Sequence, residues 1–282
     1  MEGRAVAPAA GTVLNALANG YGSAFAIDAY TEATVELDDT GTVTGEVAEA
    51  PDADTALIER CVERVVERFG DGQGGHVRTE SEIPMAAGLK SSSAAANATV
   101  LATLDALDAG DELDREDACR IGVEAARGAG VTITGAFDDA SASMLGGVTV
   151  TDNTEDELLR RDEHDWDVLV YTPDERAFSA DADVSRCERI APMADVVHEL
   201  AMDGDYERAM GVNGFAFCAA LGFPSEPIVE AFPEAAASLS GTGPSYTAVG
   251  DRETLQRLED TWSERDGHTW LTTTQTTGAT TK

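Results

Sequence analysis

The periodicity of apolar positions divides this chain into recognisable elements. Across residues 52 to 69, Leu57, Ile58, Cys61, Val62, Val65, Val66 and Phe69 recur at the spacing of one helical face, which predicts an amphipathic helix. Thr34 to Leu37 and Thr42 to Val47 alternate instead around Asp39-Thr40-Gly41, the pattern of a β-hairpin. Strand patterns recur at His76 to Ile83, Val131 to Thr134, Val148 to Thr151, Trp166 to Tyr171, Tyr246 to Val249 and Thr269 to Thr276. Helices are predicted from Ser91 to Leu107, near 114 to 127, as a pair across 187 to 222, and near 252 to 264. Asp114, with Asp117 at the third position, reads as the cap of the second of these. Residues 152 to 165 are polar and acidic, as a linker would be, and no fixed-period repeat is present.

Four stretches stand apart because they carry almost no charge: 5–27, 83–104, 128–137 and 235–250. Any one alone reads as buried core. The first is no secretion signal, since Pro8, Gly11, Asn15, Asn19, Gly20 and Gly22 interrupt it, and it is too polar to span a bilayer. The second holds Pro84-Met85-Ala86-Ala87-Gly88-Leu89-Lys90-Ser91-Ser92-Ser93-Ala94, small residues and a lysine running into serines that open an alanine-rich helix. Serines at a helix start cap backbone N–H groups, and the partial positive charge there favours an anion such as phosphate. The third ends at Asp138-Asp139, and the fourth holds Ser240-Gly241-Thr242-Gly243-Pro244-Ser245. Their joint occurrence suggests one shared nucleotide cleft.

Two glycine patterns are decoys. Gly70-Asp71-Gly72-Gln73-Gly74-Gly75 matches G-x-G-x-x-G but follows a helix and precedes a strand, the reverse of what a dinucleotide site needs. The serine loop has Leu89 where a Walker A motif has glycine before its lysine.

Composition adds the setting. Acidic residues outnumber basic ones 53 to 19, for a formal charge of −34 spread along a chain that is 43% hydrophobic. Such a surface repels itself at low salt and is screened when the Debye length falls to ~3 Å near molar salt, which suits a very salty cytoplasm. No nucleic-acid partner is expected, because no basic patch to meet its phosphates is visible in the sequence. Only Lys90 and Lys282 are lysines, and Lys90 is the single charge between Ile83 and Leu104. Cys61, Cys119, Cys187 and Cys218 are too scattered for a zinc or redox motif and read as small buried hydrophobes in a reducing compartment. The four histidines are scattered too, which argues against a histidine metal site. A cytoplasmic protein with no membrane partner is expected.

The order and wording of the uncharged stretches resemble the GHMP kinases, the superfamily of galactokinase, homoserine kinase and mevalonate kinase. Pro84-x-x-x-Gly88-Leu89-x-Ser91-Ser92 is similar to that family's phosphate-binding motif, and Leu239-Ser240-Gly241-Thr242-Gly243-Pro244-Ser245 to its C-terminal glycine motif. Within the family the likeness is greatest to the archaeal-type shikimate kinases, through Ala7 to Thr12, Gly22 to Asp28, Gly88 to Asn97 and Thr134 to Ser141. The resemblance implies an α+β, two-domain fold with the nucleotide cleft between the domains, an ATP-binding unit at 1–155 and a C-terminal unit at 156–282. It implies transfer of the γ-phosphoryl group of ATP to a hydroxyl of shikimate, with residues Pro84 to Ala94 around the phosphates. By motif position it makes Ser92 and Glu124 the Mg²⁺ ligands and Asp139 the group that orients or deprotonates the acceptor, with Asp138 in reserve. A carboxylate acceptor should want a bidentate arginine, Arg4 and Arg127 being among the candidates. Mevalonate-kinase-like members place a lysine near the N-terminal motif to support the aspartate, whereas Val13, Leu14 and Asn15 stand here. The remaining alternatives are another small-molecule kinase of the family, of homoserine or mevalonate type, and a metabolite-binding regulator without turnover. Oligomeric state is not legible.

Overall fold

A computed structural model describes residues 1–83, 88–132, 136–174 and 184–282. In chain order the elements are β1 (Glu2–Leu14), β2 (Tyr21–Asp38), β3 (Val43–Val47), α1 (Ala56–Phe69), β4 (Gly74–Ser81), α2 (Ser91–Ala106) and α3 (Arg115–Ala129). Then come α4 (Phe137–Leu145), β5 (Val148–Asp152), β6 (Glu157–Asp162), β7 (Asp167–Thr172), α5 (Val184–Glu188), α6 (Ala191–Met202) and α7 (Tyr206–Leu221). The chain closes with α8 (Glu226–Ala231), β8 (Ala236–Leu239), β9 (Tyr246–Gly250), α9 (Arg252–Trp262), β10 (His268–Thr273) and β11 (Thr280–Thr281).

Among the described residues, two sheets organise the molecule. The first has seven strands in the path β11-β1-β2-β4-β3, with β5 and β6 branching from the first half of β2. That branch is possible because β2 is long enough to serve two partners: Tyr21 to Phe25 pair with β5, and Thr31 to Asp38 with β4. The register between β1 and β2 shifts at Pro8/Ala9, where a residue without an N–H is tolerated. The second sheet is antiparallel, in the order β10-β7-β9-β8.

Helix α2 has no polar face along most of its length, since eleven of its residues from Ala94 to Ala106 are buried. Its alanines let the helix backbone approach the sheet very closely. At Gly3 on β1, an added Cβ would lie 2.1 Å from the Ala102 carbonyl oxygen.

The helices near 52–69, 91–107, 114–127 and 252–264 form largely where the periodicity puts them, and Asp114 caps α3 by accepting from the Asp117 N–H. Two expectations fail, and a third lies partly outside the described residues. The hairpin around Asp39-Thr40-Gly41 does not form, because β4 inserts between its two strands and pairs with β3 in parallel, Val43 opposite Gly75. Alternation marks a half-buried strand but does not name its neighbour. The supposed linker at 152–165 contains β6, a strand hydrogen-bonded to β5. The stretch taken as a strand at 131–134 has no strand at Val131 or Thr132, while Ile133 and Thr134 lie outside the described residues. The 187–222 region holds α6 and α7, with the short α5 before them. All four cysteines are buried free thiols.

Candidate active site

The start of α2 differs from the sequence expectation in one respect. The N-cap residue is Lys90, not a serine, and no side chain caps the helix. Ser91, Ser92 and Ser93 therefore occupy the first turn, whose N–H groups have no partner within a helix. Uncapped donors plus the helix dipole make this the anion-receptive point of the fold. Lys90 itself has left-handed backbone angles (φ 64°, ψ 30°). Gly88 also has positive φ, 78°, and is packed so closely that an added Cβ would lie 2.3 Å from the Ser240 carbonyl oxygen.

The C-terminal glycine loop is fastened to this turn and to the first sheet. Ser240 Oγ donates to the Gly88 carbonyl at 2.8 Å, and the Gly241 N–H donates to Thr12 Oγ1 at 2.8 Å. Asn15 Nδ2 donates to the Gly241 carbonyl at 2.8 Å, while its own N–H donates to Asn213 Oδ1 at 3.0 Å. Asn213 in turn donates to Ser238 Oγ.

Opposite stands the first turn of α4, anchored by Phe137, which is fully buried with the Arg120 guanidinium 5.4 Å from its ring centre. Asp138 is buried. Asn153 Nδ2 donates to its Oδ1 at 2.7 Å, and the Asp138 N–H donates back to Asn153 Oδ1 at 3.2 Å. Thr151 Oγ1 fixes that asparagine by donating to the same oxygen. Burial above all, and then the neighbouring Asp139 charge, push the Asp138 carboxyl up to about 7, against the opposing pull of Lys90 and Asn153. On the other side Gly22 makes room for it, since a Cβ there would come within 2.5 Å of the carboxyl group.

Asp139 points at Lys90. The ammonium lies 2.8 Å from Oδ1, with the two side chains only 7% and 15% exposed. This is a contact of charges: that buried oxygen has no properly directed hydrogen-bond donor among the described residues. Together with Asn15, Asp138, Gly241 and Thr242, the pair lines a cavity of ≈ 60 Å³. A larger groove of ≈ 620 Å³ beside Trp166, Phe215 and Phe232 holds none of these groups. The chemistry selects the smaller one.

Of the residues singled out from the sequence, Gly88, Leu89, Lys90, Ser91, Ser92, Ser93 and Ala94 form this turn, and Asp138 and Asp139 face it across the cavity. Pro84, Met85, Ala86 and Ala87 lie outside the described residues. Glu124 does not line the cavity; it sits on α3 with Oε2 2.6 Å from Arg68 and 4.0 Å from Arg64. Arg4 pairs with Glu2 and Arg127 with Asp156, and neither lines the cavity. Sequence reasoning placed Thr12 and Gly22 in family-like stretches without giving them a role, and missed Asn153 and Asn213 altogether. The one available signal was small polar residues inside otherwise apolar stretches, and Asn153 lacked even that.

Comparison with known proteins places the molecule. The description "GHMP kinases N terminal domain" matches residues 56–147. Among solved structures, homoserine kinase from Cytophaga hutchinsonii superposes with a TM-score of 0.79 at 18% identity, covering 100% of this chain and 97% of that one. Mevalonate kinase from Methanococcus jannaschii gives 0.77 at 14% identity, covering 96% and 98%. Fold, serine-opened turn and facing aspartates thus define a kinase of the GHMP class. Shikimate kinase of Halobacterium salinarum is 66% identical over 281 residues, 99% of both chains. That of Methanosarcina mazei is 51% identical, covering 93% of this chain and 90% of the relative. The chain belongs to this archaeal shikimate kinase family of GHMP kinases.

Proposed function

We propose that the protein is an ATP-dependent shikimate kinase, moving the γ-phosphoryl group of ATP to the 3-hydroxyl of shikimate in the chorismate route to aromatic amino acids. The observation that carries the reading is the placement of Asp139 against the residue that opens the anion-receptive turn of α2. The identity to curated shikimate kinases, 66% over nearly the whole chain, supports the choice of acceptor over the homoserine and mevalonate alternatives. The glycine loop, intact and tied to the turn, speaks against a regulator that has lost turnover.

Phosphoryl transfer of this kind is mostly positioning and charge neutralisation. Uncapped N–H groups of the Ser91–Ser93 turn receive phosphate oxygens, and Gly88 to Lys90 complete the cradle. Asp139 orients the acceptor hydroxyl and takes its proton as that oxygen bonds to the γ-phosphorus and ADP departs. Asp138 holds the first turn of α4 in place through Asn153.

The reading includes Mg²⁺, for which Ser92 and Glu124 would supply oxygen ligands, although Glu124 stands outside the cavity. When bound, it neutralises charge on the phosphates. Glu124 would have to give up its contact with Arg68 to take part. The division at 155/156 is supported by the second sheet, built wholly from later residues, although β6 and β11 return to the first. The cytoplasm is the proposed setting, in line with four reduced cysteines. No described helix is long and apolar enough to cross a membrane.

The test is an acceptor panel of shikimate, homoserine and mevalonate with ATP and Mg²⁺ in multimolar KCl, read as ADP release. Shikimate-dependent release is expected. Release with homoserine and none with shikimate ends the proposal.

A further inference from the structure

The inference rests on the kinase reading above and concerns the ammonium in the cavity. We infer that Lys90 is a positioning residue for Asp139: from the cap of the phosphate-binding turn it reaches across the cavity and sets where that carboxylate stands.

Four observations converge. First, Nζ lies 2.8 Å from Asp139 Oδ1, and the lysine side chain is 7% exposed. Lysine is almost never buried without a partner, and here the partner is that carboxylate. Second, the backbone of Lys90 is left-handed, a conformation that residues other than glycine rarely adopt. That conformation launches the side chain toward α4. Third, space is kept for the ammonium: a Cβ added at Gly241 would lie 3.0 Å from Nζ. Fourth, two polar groups beside the pair are committed elsewhere. Asp138 is engaged by Asn153, and Asn15 spends its amide on the Gly241 carbonyl. Val13 and Leu14, on the strand that leads to Asn15, are buried and apolar. Among the described lining residues, Lys90 is the one cation facing two carboxylates.

One residue thus belongs to both halves of the reaction. Its backbone shapes the turn that receives phosphate, and its side chain places the group that meets the acceptor.

A double-mutant cycle tests this, using Lys90→Met, Asp139→Asn and both together, with ATP, Mg²⁺ and whichever acceptor the panel returns. Lys90→Met is expected to lower kcat by about 10- to 100-fold, as loss of a well-placed catalytic carboxylate does in part, with KM for ATP changed only a few-fold. In the Asp139→Asn background the same substitution should lower kcat by less than about 3-fold, because coupled residues are not additive. Equal losses of kcat in both backgrounds, or a loss confined to KM for ATP, overturns the inference. A second measurement needs no turnover, so failure of shikimate as acceptor remains separable from failure here. Lys90 and Lys282 are the only lysines, so ¹⁵N-lysine labelling yields two ammonium signals. Asp139→Asn should shift the Lys90 signal and leave that of Lys282 in place; an unmoved Lys90 signal refutes the pairing.

Discussion

At the scale of single residues, the site is a balance of three ionisable groups, Lys90, Asp138 and Asp139, largely shielded from solvent. Asp138 is the member whose protonation the fold alters most, since burial raises its carboxyl to about 7 from an ordinary value near 3.8. The folded state therefore holds a proton that the unfolded chain releases. Its contribution to stability is complete below about pH 4 and is lost as pH rises through about 7. Asp138→Asn removes this dependence while keeping an acceptor for Asn153. In thermal melts at fixed high KCl, the variant should gain on the parent between pH 4 and 8, by on the order of a few kcal/mol. Parallel melting curves for the two proteins across that range would refute the assignment. Lys90 and the aspartate pair were legible in the sequence because each breaks the local composition. Asn153 and Asn213 were not, because their partners are set by tertiary packing rather than by any local pattern.

Among elements, α2 decides the geometry. It is a helix whose small residues replace side-chain interlocking with close backbone approach, and Gly3 shows how little clearance remains. Gly3→Val should destabilise the protein by roughly 1–3 kcal/mol or more, the usual range for overpacking, read as a lower midpoint in denaturant. An unchanged midpoint would mean that β1 and α2 can separate freely. Amphipathic helices such as α1 and α9 were legible from their periodicity. Strand partners were not: β3 alternates as a hairpin strand would, yet its neighbour β4 arrives only after α1. Likewise β6 hid in a run of acidic residues, because an edge strand exposed to water needs few apolar positions.

For the whole molecule, charge is the dominant variable. A formal charge of −34 with ion pairs that are mostly solvent-exposed gives a surface dominated by repulsion, since each such pair contributes only ~0–1 kcal/mol. Raising KCl from about 0.1 M to the molar range shrinks the Debye length from ~10 Å to ~3 Å and should raise the melting temperature. A melting temperature independent of KCl would show that the acidic surface imposes no strain on the fold. The cavity, by contrast, is buried and holds its own cation, so its internal pairing is screened far less. The ties from Ser240 to Gly88 and from Gly241 to Thr12 bear on how the protein works through a cycle. They stitch the later half of the polypeptide to the earlier half beside the Lys90–Asp139 pair. A seam there cannot open without breaking both hydrogen bonds.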